Sequence, residues 1–333
     1  MNKKNLLDNN LSWQALNLPE GLSLVNGVLS GTPTVAGSFN VSVSVANSLG
    51  EDTKNIQIKV ISRDTFPILQ DNSLIKNVSM ADLIAEIQNG TAQKNYVCGH
   101  SQMAIYLTHP INGNLISDVR LNFCDFRNVI LSDGSVTQGL ILQFDKALWN
   151  GFAPFDFNNF NRWKYSHLRR WLNSNSDNWF SPAYSNDSLP SSENTSYATA
   201  GIKGFLAYLP SALADNLSAI RIHTAAFFDD LNDDDAIDDP DFLNGVDYDA
   251  TFDKVFIPSI SQMKLSDDTF EGSSWAYSSN RFLDLDGNSC NLLSRSANVE
   301  NKIEILGVDS SSHVQTITAS NSSYSPAPAF VLC

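Results

Sequence analysis

The sequence predicts a multidomain protein in which a small all-β sandwich over residues 1–62 precedes a linker over 63–75 and a larger α+β domain over 76–333. Three observations carry this prediction. Turn residues recur at regular intervals between short alternating strands from Leu18 to Val60. The chain has 333 residues, enough for two or three domains with real cores. Beyond residue 75, a capped helix is followed by strands and then by further helical patterns, which is an α+β order.

In the first domain Gly21, Gly27, Gly31, Gly37 and Gly50 fall where hairpin turns need positive φ, and Pro33 fixes a corner after Thr32. Phe39, Val41, Val43 and Val45 alternate with Asn40, Ser42 and Ser44, and Ile56, Ile58 and Val60 alternate with Asn55, Gln57 and Lys59. Each run reads as a half-buried strand. Little before Trp13 is suited to a first edge strand. A neighbouring subunit or an upstream segment is therefore expected to cover that edge, because an open edge invites pairing.

Arg63 to Leu74 contains Pro67 and has no sustained period, so it reads as the linker. Ser79-Met80-Ala81-Asp82 has the form of a capping box; Leu83, Ile84 and Ile87 share a face of the helix it starts, and Gly90 stops it. Strands are expected at Ala104 to Leu107, Val119 to Phe126 and Gly139 to Phe144, the last an unbroken GLILQF run suited to burial. Ser166 caps a short helix bearing Leu168, Trp171 and Leu172, with Tyr165 at the same spacing. Leu209 to Ile222 reads as another helix, begun at Pro210 and Ser211, with Leu213, Leu217 and Ile220 inward.

Two segments stand out for chemistry. Between Trp149 and Phe180, ten of 32 residues are aromatic. Such residues hold a core together or form an aromatic platform for a sugar ring or partner surface. On the second reading Trp163, Trp179 and the later Trp275 are the candidate ligand-binding residues. The run DDLNDDDAIDDPD at Asp229 to Asp241 has eight aspartates in thirteen residues. It is a solvated loop unless a cation neutralises it. Calcium takes six to eight oxygen ligands, which makes Asp230, Asp233, Asp235 and Asp239 the candidate ligands and calcium the one candidate cofactor. Asp284-Leu285-Asp286-Gly287-Asn288 is half of a calcium-loop pattern without the distal glutamate, and reads as a turn.

Bulk charge excludes several partners. With 36 acidic against 21 basic side chains the net charge is −15, which argues against nucleic acid or an anionic membrane. No stretch approaches 18 apolar residues, so no membrane-inserted helix is expected. Met1 to Asn10 lacks the apolar core of a secretory signal. Cys98, Cys124, Cys290 and Cys333 lack zinc or redox spacing; Cys98 and Cys124 could be bridged, or all four thiols are free. The histidines His100, His109, His167, His223 and His313 show no metal spacing, and there is no G-x-S-x-G elbow, P-loop or G-x-G-x-x-G. A thiol dyad of Cys98 with a nearby histidine would lack a third group to orient it. The chain is therefore read as no enzyme.

The stretches Leu18 to Leu22, Gly27 to Pro33 and Gly37 to Ala46 follow the order GLP-x-GL, G-x-I-x-GTP and a G-x-Y/F strand. In these the first domain resembles the immunoglobulin-like He_PIG family of bacterial and phage surface proteins, whose modules are spacers. Further blocks resemble the DUF6273 family of bacterial and phage proteins: Ser79 to Ile84, Val97 to His100, Gly139 to Phe144, Ser166 to Asn173, Asp253 to Met263, Leu292 to Ser296 and Ser325 to Leu332. His100 stands where that family has aspartate, and Ala327 where arginine is common. The family's closing strands are similar to those of C-type-lectin-like and formylglycine-generating-enzyme folds, in which a tryptophan-bearing strand and the C-terminal strand pair.

These resemblances imply a non-catalytic virion surface protein of a bacteriophage, a tail, fibre or capsid decoration, with an immunoglobulin-like spacer and a C-type-lectin-like domain for host attachment. Expected partners are other virion or surface proteins and a host cell-surface glycan, within an oligomer or larger assembly. Alternatives are a bacterial cell-surface or secreted adhesin, a polysaccharide-acting hydrolase and a purely structural virion protein.

Overall fold

The computed structural model describes residues 11–60, 64–149, 154–156, 161–177, 179, 202–226, 247–265, 273–276, 280–298, 300–301 and 303–333. The chain forms two compact units, Met1–Asp64 and Thr65–Cys333.

The first unit contains β1 (Ser12–Leu16), β2 (Leu22–Val25), β3 (Val28–Gly31), β4 (Gly37–Asn47) and β5 (Gly50–Val60). β2 and β3 form a hairpin closed by Asn26 and Gly27, with φ of 50° and 78°. Left-handed conformations at both central positions define a turn whose twist matches that of the strands it joins. β4 is the middle strand of the antiparallel sheet β1-β4-β5. Val43 faces Ala15 on one side, and Val41 faces Ile56 on the other, so the odd-numbered apolar residues of β4 share a face. Behind the Gly-Thr-Pro corner the backbones of Gly21 and Gly31 nearly touch. A Cβ on Gly21 would lie 2.1 Å from the Thr32 carbonyl oxygen, and one on Gly31 would lie 2.1 Å from that of Gly21. One expectation is corrected here in part: Ser12–Leu16 supplies a strand beside β4, pairing Ser42 to Ala46, and is itself the edge of the sheet.

The second unit begins where a linker was expected. Residues 65–70 form β6 (Thr65–Gln70), paired with β7 (Ser73–Ser79). Pro67 is tolerated because β6 pairs with its other neighbour only from Ile68 to Gln70, so the missing N–H costs no ladder bond on that side. Next come α1 (Met80–Gln88), α2 (Ala92–Asn95), β8 (Ser101–Thr108), β9 (Leu115–Ile130) and β10 (Val136–Phe144). The Ser79 hydroxyl accepts from the Asp82 amide, and Met80, Leu83 and Ile87 bury the inward face of α1. Ser166 caps α3 (His167–Leu172) by accepting from the Arg169 amide.

The helix expected over Leu209 to Ile222 is corrected to a single turn, α4 (Ser211–Ala214), followed by β11 (Ile220–Ala226). Ile220, Ile222 and Thr224 are buried while Arg221 and His223 are partly exposed, a period of two that decides for strand. The remaining strands are β12 (Asp247–Asp253), β13 (Val255–Phe256), β14 (Asn291–Ala297), β15 (Glu304–Val308), β16 (Val314–Thr318), β17 (Tyr324–Ser325) and β18 (Ala329–Leu332).

A seven-stranded sheet in the order β13-β18-β10-β9-β8-β6-β7 forms the backbone of this unit, alongside the sheet β16-β15-β14-β17 and the hairpin β11-β12. β10 lies between β18 and β9, and its residues from Gly139 to Phe144 are all buried. The block Leu292 to Ser296 lies in β14, which pairs in parallel with the first residue of the C-terminal block at Ser325, whereas Ala329–Leu332 pairs with β10 and β13. Among the described residues strand outweighs helix, 48% against 12%. The α+β expectation is thereby corrected to a predominantly β fold with short helices. Among the described residues no helix is long and apolar enough to cross a membrane.

Candidate functional site

The three tryptophans read as a sugar platform are all in the core. Trp163 is 0% exposed, Trp179 5% and Trp275 3%. Their indole N–H groups donate inward: Trp163 to the Asp253 carboxylate at 2.8 Å, Trp179 to the Ile202 carbonyl at 3.2 Å and Trp275 to the Gln143 side-chain oxygen at 3.1 Å. An amphipathic ring stacks on a ligand only with a face in water, so the platform expectation is corrected to a core role. Asp253 is itself fully buried and also accepts from Arg169 Nε at 2.6 Å and Thr251 Oγ1 at 2.7 Å. Blocks singled out in the sequence thus meet in a buried polar knot that joins the α3 segment to the end of β12.

Asp230, Asp233, Asp235 and Asp239 lie outside the described residues. The carboxylate of Asp284 accepts from the amides of Asp286 and Asn288 at 3.0 and 2.8 Å, which makes that segment a turn. Among the described residues no group of three or more His, Cys, Asp or Glu side chains is placed to hold a metal.

All four cysteines are free thiols. Burial, with the Asp125 carboxylate adding to it, pushes the Cys98 thiol up to about 11, the opposite of activation. His100 points its Nδ1 at Asp71 Oδ1, 2.8 Å away. A second histidine pair escaped the sequence reading: His167 Nδ1 lies 2.7 Å from Asp156 Oδ2, with both side chains buried. Nothing in their local sequence marks the two as partners, and burial keeps both from a substrate.

A cleft of about 230 Å³ opens between the ends of β9 and β11 and the side of β14. Arg127, Arg221, His223 and Arg295 contribute to its wall, and no carboxylate does so among the described residues. Arg127 gives Nε to Asp125 at 2.6 Å and Nη2 to the Ser273 carbonyl at 3.2 Å, while its guanidinium lies 5.9 Å from the centre of the Trp275 ring. That is cation–π range. Arg295 is 1% exposed; it donates to the Ile257 and His223 carbonyls and to Gln262 Oε1 and rests over Phe256. These bonds hold a desolvated guanidinium in one place. Sequence reasoning missed the cleft because its arginines come from strands far apart in the chain.

Comparison with curated proteins and with solved structures gives no match. Residues 5–61 match the family described as "Putative Ig domain" (He_PIG), so the N-terminal unit is immunoglobulin-like.

Proposed function

We propose that this chain is a non-catalytic surface protein of a bacteriophage virion, a tail, fibre or capsid decoration, whose immunoglobulin-like unit is a spacer and whose larger unit offers a binding face to a host-surface glycan. The observation that carries this reading is the pairing of an immunoglobulin-like unit with a separate, larger β-rich unit that has its own core and an open cleft. The blocks resembling the DUF6273 family support the same setting, since that family belongs to bacterial and phage proteins. A lectin-like character of the larger unit is part of the proposal, as is membership in an assembly with other virion proteins.

A purely structural virion protein is the second reading. Burial of Trp163, Trp179 and Trp275 favours it, because it removes the indole faces that would stack on a sugar. The test is the full chain on an array of bacterial surface glycans, with a reducing-end assay on the same glycans. Saturable retention without new reducing ends is the expected result. Retention of no glycan turns the assignment to the structural reading, and release of reducing ends overturns both in favour of a hydrolase.

A further inference from the structure

We infer that β5 is a self-association edge, along which a second copy of this chain adds its own β5 antiparallel about a twofold axis, so that two three-stranded sheets become one. The pairing belongs to the first unit and holds whether or not the larger unit retains a glycan. β5 runs beside β4 for eleven residues with no bulge and no proline, about 37 Å of regular edge. Among the described residues β4 is its one strand neighbour, and every β5 residue except Ile58 and Val60 is exposed. An open row of N–H and C=O groups templates a further strand, and protein edges are commonly kept short, bulged or broken by proline for that reason. β1, the opposite edge of the same sheet, is short in this way, with five residues. β5 has none of these three defences. Thr53 N–H donates to Asp52 Oδ1 at 2.9 Å, and an added strand shares or displaces that contact.

Charge complementarity points to a second copy as the occupant. Residues directly opposite in an antiparallel pair share a face of the sheet. A twofold axis at Asn55 overlaps both strands along their whole length, with Gly50 against Val60 of the second copy. That same register sets Glu51 against Lys59 of the second copy, twice by symmetry, on the face that β4 lines with Ser38, Asn40, Ser42 and Ser44. On the other face Lys54 meets Ile56 and Asp52 meets Ile58, so no two like charges stand directly opposite. Ile56, 39% exposed, gains cover from the lysine stem. Among the described residues Glu51, Lys54 and Lys59 have no ion-pair partner in their own chain. β1, SWQAL, carries no charge, so pairing β5 with the β1 of another copy leaves Glu51 and Lys59 unmatched. Antiparallel strands exchange two N–H···O bonds at every second residue, which gives about ten along β5.

The test is sedimentation velocity of the full chain over a concentration series, with exposed charges exchanged in β5. The unaltered chain is expected to pass from monomer to dimer and to stop there. Glu51→Lys and Lys59→Glu each place like charges opposite one another twice, and each is expected to weaken the dimer about tenfold. The double variant restores the opposite pairs and should return to within about threefold of the unaltered chain, and an equimolar mixture of the two single variants should form a heterodimer. Circular dichroism melts check that each variant keeps its fold. A chain that stays monomeric to its solubility limit overturns the inference, as does growth past the dimer into an open series. A dimer that neither single variant weakens, or that the double variant fails to restore, overturns the β5 register. None of these outcomes bears on glycan retention, which the array measures separately.

Discussion

The two units reach stability by different means. Among the described residues of the first unit, Pro19 and Val41 are the buried apolar side chains, and Leu11, Leu16, Val25, Val28, Leu29, Val35, Leu49 and Ile56 stay exposed. The second unit packs Trp163, Trp171, Phe66, Phe123, Phe144, Phe155 and Phe330 at no more than 2% exposure, around a sheet in which Gly139 to Phe144 of β10 are all buried. A module near 60 residues buries only about 60% of its chain surface, and it depends on turns and strand pairing in proportion. The lesson is that clear sequence periodicity and a thick core are separate properties. The first unit has the periodicity, and the second has the core.

The largest expected effect is in the second unit. Trp163→Ala removes a buried ring and the donor to Asp253, and costs about 3–5 kcal/mol. Urea unfolding of the full chain should move one transition and leave the transition of the first unit in place. A shift of both transitions together would mean the two units unfold as one. Asp253→Asn comes next. It breaks the ion pair with Arg169, for which about 3 kcal/mol is expected, the low end for a buried pair because the arginine keeps part of its surface in water. Val41→Ala in the first unit costs less, about 2 kcal/mol at roughly 0.8 kcal/mol per buried CH₂ with a small cavity. That loss should nonetheless unfold the thinner unit at a lower urea concentration, and an unchanged midpoint would show that its core lies elsewhere.

A pH dependence also separates the units. Burial pushes the thiols of Cys98 and Cys290 up to about 11 from an ordinary value of 9.0. Below pH 9 both are protonated whether the chain is folded or not, and their contribution is complete. As pH rises from 9 to 11 the unfolded chain loses these protons first, so the stability of the second unit falls across that window. The first unit contains neither cysteine nor tyrosine. Its transition should hold over the same range, and an equal loss in both units would contradict the assignment.

What the sequence disclosed follows the same division. The Asn26-Gly27 turn, the Gly-Thr-Pro corner and the alternation around Val41 are local signals, and the first unit is built from local signals. In the second unit Ser79 and Ser166 announced their helices for the same reason. The missed elements were decided by tertiary partners. Pro67 discouraged a strand that its one-sided pairing permits, and Ile220-Arg221-Ile222-His223-Thr224 carried a period of two that was absorbed into a helix begun at Pro210. The aromatic run was conspicuous in the sequence and proved to be core, whereas the cleft joins Arg127 of β9 to Arg295 of β14, positions that no motif connects.

Hydrogen exchange of the full chain with and without a retained glycan tests most directly the division of labour between spacer and binding face. The account predicts slowed exchange around residues 127–130 and 220–223 and none over residues 11–60. Protection confined to residues 11–60 would contradict it.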